Sequence, residues 1–127
     1  MTDTHALTEL QLAILHVLWE YEEATTQEVH AAMADSRGLA ITTVATLLSR
    51  LEKRGVLSHR KEGRQYVYRT LVTEKEVRHS KVAELTTSLF EGDPSALVRH
   101  LIRTHDVDRD ELERLVAMVE EAEERNG

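Results

Sequence analysis

Thr42, Thr46, Ser49 and Lys53 recur at a spacing that, at about 100° per residue, gathers them on one side of a helix, with Thr43 and Arg50 on its flank. Short hydroxyls both donate and accept hydrogen bonds, and a guanidinium or ammonium adds charged donors. Such a face suits hydrogen bonding to a polar, anionic surface. Downstream, Arg60, Lys61, Arg64 and Arg69 are interleaved with Tyr66 and Tyr68. Residues 50 to 69 hold seven Lys or Arg against two Glu, a local excess of five positive charges. A basic stretch of that density is the electrostatic footprint of phosphate binding.

The elements that must position these side chains can be read around them. Val44, Leu47, Leu48 and Leu51 recur at three-and-four spacing, which predicts a helix from Ile41 to Arg54 with this stripe on a core and the hydroxyl face outward. Gly55, after a basic last turn, stands where a cap with positive φ is wanted and ends the helix. Strand signals follow at Val56 to Lys61 and Gln65 to Val72, flanking a hairpin turn at Glu62-Gly63. Upstream, Thr8-Glu9-Leu10-Gln11 fits a capping box, with Leu7 and Leu12 as a hydrophobic staple. Leu10, Ile14, Val17, Leu18 and Tyr21 make the inner stripe of this first helix, and Trp19 is expected at the rim of the core. Thr25-Thr26-Gln27-Glu28 repeats the capping pattern, so a second helix covers about Thr26 to Ala34 with Val29, Ala32 and Met33 inward. Asp35-Ser36-Arg37-Gly38 reads as a turn.

Three helices followed by a basic hairpin form the layout of a winged helix-turn-helix, whose third helix enters the DNA major groove while the hairpin grips phosphates. The expected fold is mainly α with a small β-hairpin wing: a winged helix-turn-helix domain over 1-73, then a helical dimerisation and regulatory domain over 74-127. The candidate DNA contacts are Thr42, Thr43, Thr46, Ser49, Arg50 and Lys53 on the helix, with Arg60, Lys61, Arg64 and Tyr68 on the wing.

The chain's net charge of −7 hides this distribution. Residues 1 to 73 carry eight basic and nine acidic groups, whereas residues 74 to 127 carry eight and fourteen, so the acidic excess lies in the second half. Hydrophobic content of 41% with 31% charged residues belongs to a globular protein, and no apolar run is long enough to span a bilayer. Met1-Thr2-Asp3-Thr4-His5 lacks the features of a signal peptide, so a cytoplasmic location is expected. The absence of cysteine excludes disulfides and thiolate metal sites.

The second half reads as helical throughout. Glu74 to Phe90 carries Val77, Val82, Leu85 and Leu89; Gly92-Asp93-Pro94 breaks it and caps the next helix, which bears Leu97, Val98, Leu101 and Ile102. Asp108-Arg109-Asp110-Glu111 is a further cap, followed by Leu112, Leu115, Val116 and Val119 and a charged tail, Glu120 to Arg125. About fifty residues bury little surface alone. These stripes therefore call for a partner, and a second copy fits a helix-turn-helix that reads two half-sites. Leu85, Leu89, Leu97, Leu101, Leu112, Leu115 and Val119 are the candidate dimerisation residues.

Other classes fit less well. His100, His105, Asp106 and Asp108 cluster in sequence and suggest a histidine-based metal- or haem-responsive regulator. However, His100 and His105 are five apart, which misaligns them on one helix, and no familiar metal spacing is present. No phosphate loop, nucleophile elbow or carboxylate pair marks an enzyme, and no cofactor is expected. A winged helix docking its basic wing on an acidic protein is a third reading.

Four stretches carry a family likeness: Leu7-Thr8-Glu9-Leu10-Gln11-Leu12-Ala13-Ile14-Leu15-His16-Val17-Leu18-Trp19, Thr43-Val44-Ala45-Thr46-Leu47-Leu48-Ser49-Arg50-Leu51, Lys53-Arg54-Gly55, and His59-Arg60-Lys61-Glu62-Gly63-Arg64-Gln65-Tyr66-Val67-Tyr68. Together they resemble the penicillinase repressor family, the BlaI, MecI and CopY group. The resemblance implies a winged-helix repressor that binds an inverted-repeat operator as a dimer held by its C-terminal half, with recognition contacts at Thr43, Thr46 and Arg50. Thr42 stands where relatives can carry a lysine, a departure that bears on the operator sequence. The copper-responsive branch senses metal through cysteines, which this chain lacks. The β-lactam branch is relieved by a regulatory protease at an Asn-Phe bond; here Ser95-Ala96-Leu97-Val98-Arg99-His100-Leu101 is similar, with His100-Leu101 in that place.

Overall fold

Reciprocal bonds between Thr8 and Gln11 start the first helix: the Gln11 N–H donates to Thr8 Oγ1 at 3.1 Å and the Thr8 N–H to Gln11 Oε1 at 3.0 Å. The computed structural model describes residues 7–126, except the side chains of 34–37. Residues 1–6, on which the absence of a leader was read, lie outside the described residues. From the capping box, α1 runs Glu9–Tyr21, followed by β1 (Ala24–Thr25), α2 (Thr26–Arg37), α3 (Ile41–Lys53), β2 (Leu57–Glu62), β3 (Gln65–Thr70), α4 (Glu74–Phe90), α5 (Pro94–Arg103) and α6 (Arg109–Asn126). The chain divides between Glu84 and Leu85 into two compact units.

The core of the first unit joins Ile14, Leu15 and Leu18 of α1, Val29 and Met33 of α2, and Val44, Leu48 and Leu51 of α3 to Val56, Leu57, Tyr68, Val72 and Val77, all buried. Fully burying one such aliphatic side chain stabilises by roughly 1.5–3 kcal/mol, so the α3 stripe alone fixes that helix firmly. Trp19 lies at the rim as expected, and its indole N–H donates to the Val72 carbonyl at 3.0 Å. The inner stripe of α1 departs from expectation at its end. Leu15 is fully buried, whereas Tyr21 is 49% exposed because the helix stops there, at Glu22 with φ +68°. The second helix also runs further than expected, through 35–37, ending only before Gly38.

A Schellman motif closes α3: the Gly55 N–H donates to the Glu52 carbonyl and the Val56 N–H to the Leu51 carbonyl, both at 3.0 Å. It requires φ +80° at Gly55, a conformation that glycine adopts without strain. The chain then turns directly into β2. The sheet is antiparallel in the order β1-β3-β2. Glu62 pairs with Gln65, so the hairpin turn is Gly63-Arg64 and not Glu62-Gly63 as the sequence suggested. Gly63 takes φ +65° at the first turn position, which a two-residue loop of the II′ type demands of it. Unexpected from sequence is β1, which pairs Ala24 with Tyr68 and Thr25 with Val67. Helices α1, α2 and α3 with this three-stranded sheet make a winged helix.

α4 starts beside the expected division at 73/74, and its portion up to Glu84 belongs to the first unit: Val77 is in that core, and Lys81 Nζ donates to the Leu7 carbonyl at 3.0 Å. In the second unit, Asp93 caps α5 by accepting from the Ser95 N–H at 2.9 Å with Pro94 following, and Asp108 caps α6 by accepting from the Glu111 N–H at 2.9 Å. α6 continues through the charged tail to Asn126. No described residue of α5 or α6 is fully buried. Among the described residues no helix is long and apolar enough to cross a membrane.

Candidate nucleic-acid interface

Because Val44, Leu48 and Leu51 hold one side of α3 on the core, the opposite side is turned to solvent. Thr42, Thr43, Thr46, Ser49, Arg50 and Lys53 are all exposed. Thr46 Oγ1 donates to the Thr42 carbonyl at 3.0 Å, which fixes its rotamer and leaves the oxygen lone pairs outward as acceptors. Arg50 has no ion-pair partner among the described residues, so its five donors are available for a base edge or phosphate.

The wing divides its cations into two kinds. Lys61 and Arg64 are exposed; Arg64 is the second residue of the turn, and Lys61 Nζ stands 5.6 Å from the centre of the Tyr66 ring. Arg60 is exposed too but ion-paired, donating to Glu23 Oε2 at 2.7 Å and to Glu62 Oε2 at 2.8 Å. The hydrogen bond to Glu23, then that to Glu62, raise its pKa further above the ordinary value. Arg60, expected on phosphates, therefore has its charge already matched by two carboxylates. Arg54 is turned inward, donating to Gln11 Oε1 at 3.3 Å. Arg50, Lys53, Lys61, Arg64 and Arg69 remain as the outward charge of this stretch.

Tyr68 requires a correction. It is 4% exposed and packs in the core, so its side chain has no surface left for DNA. Burial, then the Glu52 carboxylate and Tyr66, push its hydroxyl above the usual value near 10. Tyr66, two residues nearer the tip, is 40% exposed and is the wing's accessible ring.

Sequence reasoning missed the ground between wing and helices. An open groove there is lined by Thr25, Thr26 and Gln27 at the start of α2, Ile41 at the start of α3, and Lys61, Gly63, Arg64, Gln65 and Tyr66 of the wing. The signal for it was the second capping box. Glu28 and Thr25 do bond reciprocally, at 2.9 and 3.1 Å, which places the N-terminus of α2 there, and helix N-termini favour anions.

The other candidate sites separate into ordinary roles. Among the described residues no three metal-ligating side chains converge. His100 lies against the Phe90 ring, Asp106 accepts from Thr104 Oγ1 and Asp108 caps α6. The His100-Leu101 peptide is inside α5. Of the candidate dimerisation residues, Leu97, Leu101 and Leu112 are half-buried, while Leu85, Leu89, Leu115 and Val119 are 40%, 68%, 46% and 57% exposed.

Comparison with known proteins agrees with this geometry. The chain is 25% identical to the penicillinase repressor of Bacillus licheniformis over 119 residues, spanning 94% of this chain and 93% of the relative. It is 20% identical to the methicillin resistance regulatory protein MecI of Staphylococcus aureus over 112 residues, 88% of this chain and 91% of that one. Among solved structures, the DNA-binding domain of the repressor BlaI superposes with a TM-score of 0.54 at 30% identity, covering 60% of this chain and 93% of that domain. The monomeric form of Bacillus licheniformis BlaI in complex with the blaP half-operator gives 0.51 at 30% identity, with the same coverage. The model of the penicillinase repressor family matches residues 7–121, nearly the whole chain, and this protein belongs to that family.

Proposed function

We propose that the protein is a cytoplasmic, dimeric, sequence-specific transcriptional repressor acting on an inverted-repeat operator. α3 lies in the major groove, where Thr43, Thr46 and Arg50 read base edges and Thr42, Ser49 and Lys53 contact the flanks. Lys61 and Arg64 bind the phosphates beside the groove, and residues 74-127 join two reading heads through the apolar residues of α4, α5 and α6. The observation that carries this reading is the exposed hydroxyl-and-cation face of α3 beside the exposed wing cations Lys61 and Arg64, which have no ion pair among the described residues. It is supported by a similar fold that has been seen on a half-operator. Release of the operator follows from whatever separates the two heads, a regulatory protease acting on the C-terminal helices included.

The test is selection of bound duplexes from a random-sequence pool by the intact chain, with the mass of the complex measured in solution. The expected result is one sequence with two-fold symmetry bound by two chains. Selection of no sequence, with capture of acidic proteins instead, would support the docking reading.

A further inference from the structure

We infer that Glu52 and His59, neither of which is among the proposed DNA contacts, are positioning residues that lock the wing to the recognition helix so that phosphate grip and base reading act in one register. The inference rests on the function proposed above. Glu52 is in the last turn of α3 and His59 is on β2, beyond the Gly55 turn. Glu52 Oε2 and His59 Nδ1 are 2.6 Å apart, and both side chains are sheltered, at 31% and 27% exposure. A carboxylate at the C-terminal end of a helix is disfavoured by the helix dipole, so Glu52 stands where it needs a compensating donor, and the imidazole supplies one.

The contact continues outward. The His59 ring stacks on Tyr66 of β3, with centroids 4.0 Å apart and planes 9° from parallel, and Lys61 Nζ stands over the same Tyr66 ring. A chain of contacts thus runs from the recognition helix, through Glu52, His59 and Tyr66, to a phosphate-seeking cation. Its place in the sheet explains the need for it. β1 covers β3 at Tyr68 and Val67, so the outer wing, Lys61 with Tyr66 and Glu62 with Gln65, is a two-stranded ribbon without a sheet neighbour among the described residues. Such ribbons twist freely and are marginal alone. His59, opposite Tyr68, lies level with Ala24 at the start of β1, and its stack on Tyr66 reaches the first uncovered row. The adjacent Arg60 points to the other face, as alternation requires, and its bond to Glu23 ties that side to the connection before β1.

The experiment compares the intact chain with Glu52→Met, His59→Phe and the double variant, on a duplex selected by the intact chain and on a scrambled duplex. Methionine keeps the length and helix preference of Glu52, and phenylalanine keeps the ring on Tyr66; both remove the polar contact. Losing one charge-assisted hydrogen bond should lower affinity for the selected duplex about tenfold in each single variant, and by no more in the double. Scrambled-duplex affinity should change less. In a Lys61→Ala/Arg64→Ala background the same substitutions should have no further effect, because no wing contact is left to position. Additive losses, losses that persist in that background, or a gain on both duplexes from removing the Glu52 charge would each overturn the inference. Thermal unfolding of each variant is measured alongside, and a loss that tracks the unfolded fraction also overturns it. If Glu52→Met fails to fold, Glu52→Gln replaces it; its amide oxygen still accepts from the imidazole, so a smaller loss is expected, again confined to the background that keeps Lys61 and Arg64. Should the intact chain select no duplex, the proposed function fails and this inference with it. If it selects one and binding is indifferent to Glu52 and His59, only the positioning role falls.

Discussion

Replacing Lys61 and Arg64 with alanine should change the salt dependence of DNA binding, and replacing Arg60 should not change it in the same way. Each phosphate neutralised on duplex DNA contributes about 0.9 to the slope of log affinity against log salt, so losing two contacts flattens the slope by about 1.8. Over a fourfold rise in salt, from about 50 to 200 mM, the intact chain should then lose about twelvefold more affinity than the double variant. Arg60 differs because its charge is already matched by Glu23 and Glu62 at 2.7 and 2.8 Å. Arg60→Ala removes no free cation; it releases two carboxylates and loosens the wing. The assay is fluorescence anisotropy on a labelled duplex at several salt concentrations, with selected and scrambled sequences in parallel. An unchanged slope for Lys61→Ala/Arg64→Ala would refute the assignment of the wing to phosphates. A drop of about 0.9 for Arg60→Ala, with no weakening specific to the selected duplex, would show that its ion pairs open on DNA.

Arg50→Ala should weaken the selected duplex by roughly 1–3 kcal/mol more than a scrambled one, since a guanidinium on the outer face of α3 can fork onto a guanine edge; equal losses on both would make it a phosphate contact. The raised pKa of Tyr68 predicts a loss of stability in alkali. With the folded-state value above the unfolded one, the unfolded chain gives up its proton first, so the contribution is whole below about pH 10 and declines as pH rises through the folded value. Tyr68→Phe should remove that decline in a pH series of urea melts, and an identical decline in the variant would exclude Tyr68 as its source. Leu112→Glu should shift the proposed dimer towards monomer in sedimentation and lower operator avidity by about a hundredfold; a variant that stays dimeric with full affinity would remove the C-terminal helices from that role.

What could be read from sequence was local. Thr8 with Gln11, Thr25 with Glu28, Asp93 with Pro94, and Gly55 announce helix ends through neighbours no more than four residues away, and the observed ends follow them. The strand β1 was not legible because two residues carry no periodicity; its identity comes from pairing with Tyr68 and Val67 far along the chain. The two wing tyrosines show the same limit. Alternation puts Tyr66 and Tyr68 on one face, yet one is 40% exposed and the other 4%, since depth along the strand decides. Glu52 counted only as an opposing charge in the basic stretch, and its bond to His59 depends on how sharply the chain turns at Gly55.

The packing of α4 governs how the two halves can be separated. A division at 73/74 follows the end of the wing, but α4 is one helix whose portion up to Glu84 is packed with the reading head. Val77 is 2% exposed in that core, and Lys81 holds the Leu7 carbonyl. Cutting the chain near Val72 would discard the burial of Val77, worth roughly 1.5–3 kcal/mol, and open the cover over Trp19 and Val72. A head truncated there could lose DNA binding simply by unfolding, which would imitate the loss of a dimer. A head ending at Glu84 keeps both contacts and removes the end of α4, with Leu85 and Leu89, and the helices beyond. The comparison of the two truncations is therefore the sharper measurement. If avidity through the C-terminal helices sets operator affinity, the Glu84 head should stay folded, bind a half-site, and lose only the gain that the second half-site gives the intact chain.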